Sequence, residues 1–320
     1  MPTSSRGTGP ASTPGQSSVA LEVAAAVIQR ADGAFLLTQR PAGKVYAGYW
    51  EFPGGKIEAG EAASGALARE LREELGIEAC TTFPWLTREY TYPHASVRLN
   101  FFRVTTWKGD PQPKEKQAIA WQRFDVPLVE PMLPANAPVL AALALPHEYA
   151  ITDAESRGTS RMLSQVRARL ADGLRLILVR DRGLARREAF VRDVVRLAHG
   201  QGARVLVSAA PAGGDGVHFT AAQLMALESR PRDILAAASC HTRDELARAV
   251  ALEMDFAVLG PVKPTASHAD ARPLGWEGFA RIAHGASIPV YAIGGMQRRD
   301  LDDAWRAGAH GVAMISGAWG

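Results

Sequence analysis

The chain has 320 residues, 47% of them hydrophobic and 22% charged, with a formal net charge of +3. That length exceeds one average domain and the composition is ordinary for globular protein, so two domains are expected. A polycationic nucleic-acid surface is excluded: residues 20–146 hold 13 basic against 14 acidic side chains, and residues 147–320 hold 22 against 19.

Residues 1–18 are rich in Ser, Thr, Gly and Pro and contain no hydrophobic stretch. They read as a disordered tail, not a signal peptide. Residues 19–28 read as a buried strand and residues 34–38 as a second, after the turn Ala31-Asp32-Gly33. A Gly-rich loop follows at Phe52-Pro53-Gly54-Gly55. Residues 62–75 are then helical, with Ala66, Leu67, Leu71 and Leu75 on one side and Gly76 as the stop signal. Strands return at 86–92 and 97–107, and a short helix at 135–145 is ended by Pro146. Beyond it come eight candidate strands, at 149–152, 174–179, 205–208, 217–219, 234–238, 256–259, 290–293 and 312–315, mostly separated by helical segments. Eight successive β/α units predict a closed barrel. No apolar run reaches the length of a bilayer span. The two cysteines, Cys80 and Cys240, form neither a zinc spacing nor a disulfide framework, so a cytoplasmic protein is expected.

The segment Gly55–Ile77 carries the chemistry. Glu70, Glu73 and Glu74 fall at helical spacings of three and four, which gathers three carboxylates on one face after a Gly-rich loop. Like charges so close gain nothing for a helix alone. A hard divalent cation such as Mg2+ or Mn2+ prefers oxygen ligands of this kind and bridges to phosphate. The plain alternative is an exposed Glu/Arg salt-bridge face, with Arg69 and Arg72 interleaved.

The order Gly55, Glu61, Arg69-Glu70-Leu71, Glu73-Glu74, Gly76-Ile77 resembles the signature of the Nudix family without a departure. The resemblance implies an α/β/α sandwich with a mixed sheet over residues 19–146 and hydrolysis of a nucleoside diphosphate linked to another group. LLTQRP, YWEFPGGKIEAGE and LPANAPVLAAL are similar to the MutT branch, which implies conversion of 8-oxo-dGTP to its monophosphate and pyrophosphate by attack at the β-phosphorus. It further implies metal ligation by Gly54, Glu70, Glu73, Glu74 and Glu115, with Glu70 as base or water-orienting group. Base recognition maps to Asn136, whose amide is both donor and acceptor; an N-cap role is the alternative. Phe52 reads as pocket wall or core, and Arg40 as a phosphate or base contact or as an acid's partner.

Residues 147–320 resemble the thiamine phosphate synthase and TenI family of small barrels through YAITD, Arg180-Asp181-Arg182, Ser239-Cys240-His241, GPVKPTASH, IPVYAIGGM and AGAHGVAMISGA. The resemblance implies a (β/α)8 TIM barrel, here lacking most of its last helix. It also implies a phosphate cup at Gly294, Gly295, Ser316 and Gly317, with Arg180 and Arg182 at the substrate. Departures are Ser208-Ala209 and Phe219-Thr220-Ala221-Ala222, where the synthases carry Mg2+-binding acids. TenI-like members share that loss and place a His, here His241, to tautomerise a thiazole phosphate. Two other readings stay open: Nudix hydrolysis of a thiamine-pathway diphosphate, and a barrel that binds a ligand without catalysis.

Overall fold

The computed structural model describes residues 20–208, 213–265 and 272–320. The expected tail at 1–18, Ala209, and the Ala266-Ser267-His268 part of GPVKPTASH lie outside the described residues. The first half runs β1 (Leu21–Ile28), β2 (Phe35–Gln39), β3 (Trp50–Glu51), β4 (Gly54–Lys56), α1 (Ala63–Leu75), β5 (Glu78–Tyr92), β6 (Ala95–Lys108), β7 (Ile119–Gln122) and α2 (Ala137–Leu143). Its main sheet has the order β4-β1-β6-β5, with β1 parallel to β6 and antiparallel to β4. A smaller antiparallel sheet orders β3-β2-β7.

Alternation along β1 creates the layers. Ala24, Ala26 and Ile28 pack with Ala66, Leu67, Leu71 and Leu75 of α1. Ala25 and Val27 face Val139, Ala142 and Leu143 of α2. The sheet is thus held between helices, as the Nudix resemblance implied. Gly76, at φ +68°, donates its N–H to the Arg72 carbonyl, an αL cap that only a residue tolerant of positive φ closes cheaply. The hairpin of β5 and β6 is longer than expected, and its register shifts between Pro84 and Thr87. Those irregularities break the period-two pattern that marks a strand in sequence. β3, β4 and β7 were not expected, since two to four residues carry too little pattern.

The second half runs β8 (Glu148–Ile151), α3 (Ala154–Arg157), α4 (Thr159–Ala171), β9 (Leu176–Val179), α5 (Arg187–His199), β10 (Arg204–Ser208), β11 (Gly216–Phe219), α6 (Ala221–Ala226), β12 (Leu235–Cys240), α7 (Arg243–Ala251), β13 (Phe256–Leu259), α8 (Gly275–Ala283), β14 (Val290–Ile293), α9 (Leu301–Arg306) and β15 (Gly311–Met314). All eight strands are parallel to their neighbours, and β15 pairs with β8 to close the barrel. Tyr149, Leu178, Leu206, Phe256 and Tyr291 fill its interior, while Ile177, Val179, Val205 and Val207 face the helices. After β15 comes a single 3-10 turn, Ser316–Ala318. Gln165 and Arg169 of α4 hold this segment through the carbonyls of Trp319 and Ala318. Among the described residues no helix is long and apolar enough to cross a membrane.

Candidate functional site

In the first half, the end of β4 meets the acidic face of α1. The fit depends on absent side chains. A Cβ on Gly55 would lie 2.1 Å from the Glu70 Cδ and 2.2 and 2.4 Å from its oxygens, so the carboxylate occupies the space glycine leaves. A Cβ on Gly54 would lie 2.1 Å from the Ala24 carbonyl, and its φ of +147° also excludes ordinary side chains. The Gly54 N–H points to Glu74 Oε2 at 3.4 Å.

Arg69 organises the other acids. It contacts Glu61 at 3.1 Å, Glu70 at 2.8 Å and Glu73 at 3.5 Å. These contacts raise its own pKa and lower that of Glu61. Glu70 is 16% exposed and Glu73 59%, so the three box acids are unequal. Glu74 is half-buried. Desolvation raises its carboxyl pKa to about 7, and the charges of Glu70, Glu51 and Glu115 push the same way. Glu115 pairs with Lys44 at 3.2 Å, and its loop is tied to α1 by the bond from Gln117 Nε2 to the Glu74 carbonyl.

This donor set fits a hard divalent ion. The oxygens are of the type such an ion takes, and a carboxyl that is costly to ionise amid like charges would gain from one. Among the described residues no three acidic, His or Cys side chains are gathered so as to hold a metal ion. Arg69 draws Glu70 and Glu73 toward itself.

Arg40 makes a forked contact with Glu51 at 2.9 and 2.7 Å, so the structure realises the reading of an acid's partner. Phe52 is 4% exposed and packs between Phe35 and Phe101; it stands in the core, not as a pocket wall. Asn136 lies where α2 begins but makes no side-chain cap bond, contrary to the N-cap alternative. It is 4% exposed, and its amide faces the Trp50 carbonyl at 3.4 Å. Glu51 was missed by the sequence reading. It meets Arg40 only because β3 pairs with β2, and β3 is two residues long.

In the barrel, a cavity of about 760 Å3 opens at the carboxyl end of the strands, where barrel enzymes bind substrate. Arg180, Arg182, His241, Gly294, Gly295 and Ser316 all line it. Gly317 lies beside the lining, where a Cβ would meet the Met296 carbonyl at 2.2 Å. Gly294 and Gly295 have φ of +99° and +64° and approach the Pro261 and Lys263 segment too closely for a side chain. His241 Nδ1 lies 2.7 Å from the Gly260 carbonyl. A carbonyl only accepts, so Nδ1 is the donor in this contact.

Several lining residues escaped the sequence reading. Asp153 pairs with Arg180 at 3.5 Å, and Asp181 accepts from Thr152 and from the Glu155 N–H. His218 joins the Tyr149 hydroxyl, 3.1 Å away, to the Ser239 hydroxyl, 2.9 Å away, and burial lowers its pKa to about 3. A signal existed: a His between Val217 and Phe219 in an apolar strand has to find a partner inside the barrel.

Residues 20–143 match the Nudix domain profile, and residues 148–318 match that of thiamine monophosphate synthase. The CTP pyrophosphohydrolase of Escherichia coli is 43% identical over 38% of this chain and 90% of that protein. The 8-oxo-dGTP diphosphatase of the same organism is 37% identical over 38% and 95%. The thiamine-phosphate synthase of Caldivirga maquilingensis is 30% identical over 53% and 86%. The chain belongs to both families, joining a Nudix hydrolase to a barrel of the thiamine monophosphate synthase and TenI type.

Proposed function

We propose that the Nudix half is a Mg2+-dependent nucleoside triphosphate pyrophosphohydrolase, with 8-oxo-dGTP as its leading substrate; Mn2+ suits the same oxygens. The observation that carries this reading is the half-buried Glu74 carboxyl, its pKa raised to about 7, beside a Glu70 carboxylate seated on Gly55. Gly54, Glu70, Glu73, Glu74 and Glu115 are the residues that would hold the ion. A divalent ion bound there neutralises phosphate charge and acidifies a water. Glu70, steadied by Arg69, accepts the proton of the attacking water. Asn136 reads the base, and Arg40 with Glu51 borders the same region.

A donor and an acceptor on one amide suit the N7–H and O6 edge of 8-oxoguanine. They equally suit the N3 and amino edge of cytosine, and the 43% identity to a CTP pyrophosphohydrolase favours that second reading. A pyrophosphate-release panel with Mg2+ separates them, using 8-oxo-dGTP, dGTP, CTP, dCTP and thiamine-related diphosphates. The highest kcat/KM is expected for 8-oxo-dGTP. A preference for CTP transfers the assignment to the second reading, and release from none of the nucleotides overturns both.

For the barrel we infer a phosphorylated thiazole as ligand. Gly294, Gly295, Ser316 and Gly317 would hold its phosphate through backbone N–H groups, with Arg180 and Arg182 supplying positive charge. His241 would move a proton. Synthase chemistry is not expected: Ser208 and Thr220 stand at loops where carboxylates would hold the ion that steadies a departing pyrophosphate.

A further inference from the structure

Arg103 of β6 is a buried cation with no ion-pair partner among the described residues. It is 1% exposed, yet it belongs to the Nudix half and reaches into the barrel half. Its two terminal nitrogens donate to His147 Nε2 and to His310 Nδ1, both at 3.0 Å. Its plane lies 4.2 Å from the Trp85 ring centre and 5.7 Å from that of Trp305. Its Nε is buried with no hydrogen-bond partner among the described residues. Around it Phe83 meets Trp305, the Thr87 N–H donates to the Ala286 carbonyl at 3.1 Å, and Arg88 reaches the Ser287 carbonyl at 2.7 Å.

The protonation states follow from donor and acceptor counting. A guanidinium only donates, so each histidine nitrogen facing it must offer a lone pair. His310 Nε2 donates to the Leu145 carbonyl at 3.0 Å, which fixes the neutral Nε2–H tautomer. Both histidines are therefore acceptors only while uncharged. We propose that this contact is a proton-sensitive latch: neutral His147 and His310 clasp Arg103 and hold the Nudix domain on the amino-terminal face of the barrel, and protonating either releases it.

Arg103 is the charge acting on His147; Arg103 and His147 both act on His310, against the Leu145 and Pro146 backbone contacts, which push the other way. Tyr291, on β14, packs 5.0 Å from His310 and donates its hydroxyl to the Pro146 carbonyl. Arg204 acts on Tyr291 from the barrel side. Asp303 and Arg306 of α9 pair with one another at the surface. Burial, then Arg103, holds the His147 pKa near 3 and that of His310 well below its ordinary value. A histidine freed by undocking returns to about 6.5. The depressed value means that docking is at full strength above about pH 6.5 and weakens as pH falls from there toward 3. Between pH 7.5 and 5 the undocking equilibrium grows roughly thirtyfold for one histidine and several hundredfold for two.

Amide exchange on the full chain tests this, read as the protection factor of the Thr87 N–H at pH 7.5 and 5, with the amides of β13 as an internal reference. The expected result is at least a tenfold loss of Thr87 protection at pH 5 while β13 stays protected. The pH dependence should flatten in His147→Gln/His310→Gln, because an amide keeps an acceptor for Arg103 and does not titrate. If that pair fails to fold, His147→Gln alone should reduce the dependence. Equal Thr87 protection at both pH values in the unmodified chain, parallel loss in β13, or an unchanged dependence in the glutamine variants would overturn the latch.

Discussion

Gly55→Ala isolates the Glu70 carboxylate without touching it. The new Cβ would stand 2.1–2.4 Å from all three carboxylate atoms of Glu70, against about 3.5 Å for ordinary contact. The carboxylate is the far end of a flexible chain, so it must move by more than about 1 Å while the backbone stays. Gly55 has no positive φ to preserve, so the fold loses nothing there and the less flexible unfolded chain offsets part of any strain. We expect a stability change within about 1 kcal/mol. A misplacement of this size at a proton acceptor costs about a hundredfold in rate, or about 2.7 kcal/mol of transition-state stabilisation. The assay is pyrophosphate release at saturating Mg2+, beside urea unfolding of the same preparation. Near-normal kcat would refute the placement of Glu70. Equal losses of activity and stability would refute the claim that the glycine serves the carboxylate.

Other substitutions probe the remaining parts. Glu74→Gln should lower kcat at least about a hundredfold. It should also stabilise the metal-free protein above pH 7, where the native carboxyl is forced to ionise; unchanged stability at pH 8 contradicts its burial. The Glu74 pKa is raised, so the stabilisation it gives the metal-free fold is complete below about pH 4.5 and is lost as pH rises through about 7. Mg2+ must displace that proton, so affinity measured by calorimetry should climb up to about tenfold per unit between pH 5 and 7; pH-independent binding excludes Glu74 as ligand. Asn136→Ala should reduce base preference more than kcat, whereas a fall in melting temperature alone marks a packing role. The full chain should form no thiamine phosphate from the two thiamine precursors, and His241→Ala should remove any thiazole phosphate tautomerisation; robust coupling contradicts the reading of the barrel.

Strongly periodic elements were legible. Residues 62–75 and the eight barrel strands are found within a residue or two, because each carries its own burial pattern. The acidic face was legible too, since helical spacing alone brings Glu70, Glu73 and Glu74 together. Pairings made by short strands were not. Glu51 reaches Arg40 through a two-residue strand, and Glu115 is tied to Glu74 through Gln117, contacts that no local pattern encodes. The same holds for His218, whose partners Tyr149 and Ser239 come from other strands. Arg103 sits in a strand whose own pattern does not mark it, and its burial depends on a second domain that begins more than forty residues later. Asn136 was open between two roles because a residue beside Pro at a helix start fits both; the missing cap bond decides against one of them.

Hydrolysis of 8-oxo-dGTP in 18O-enriched water, with both products read by mass spectrometry, locates the new bond. Attack at the β-phosphorus predicts the label in pyrophosphate and none in the monophosphate, with the reaction dependent on Mg2+ and abolished in Glu70→Gln. Label in the monophosphate, or turnover that survives both chelation and Glu70→Gln, would contradict the account.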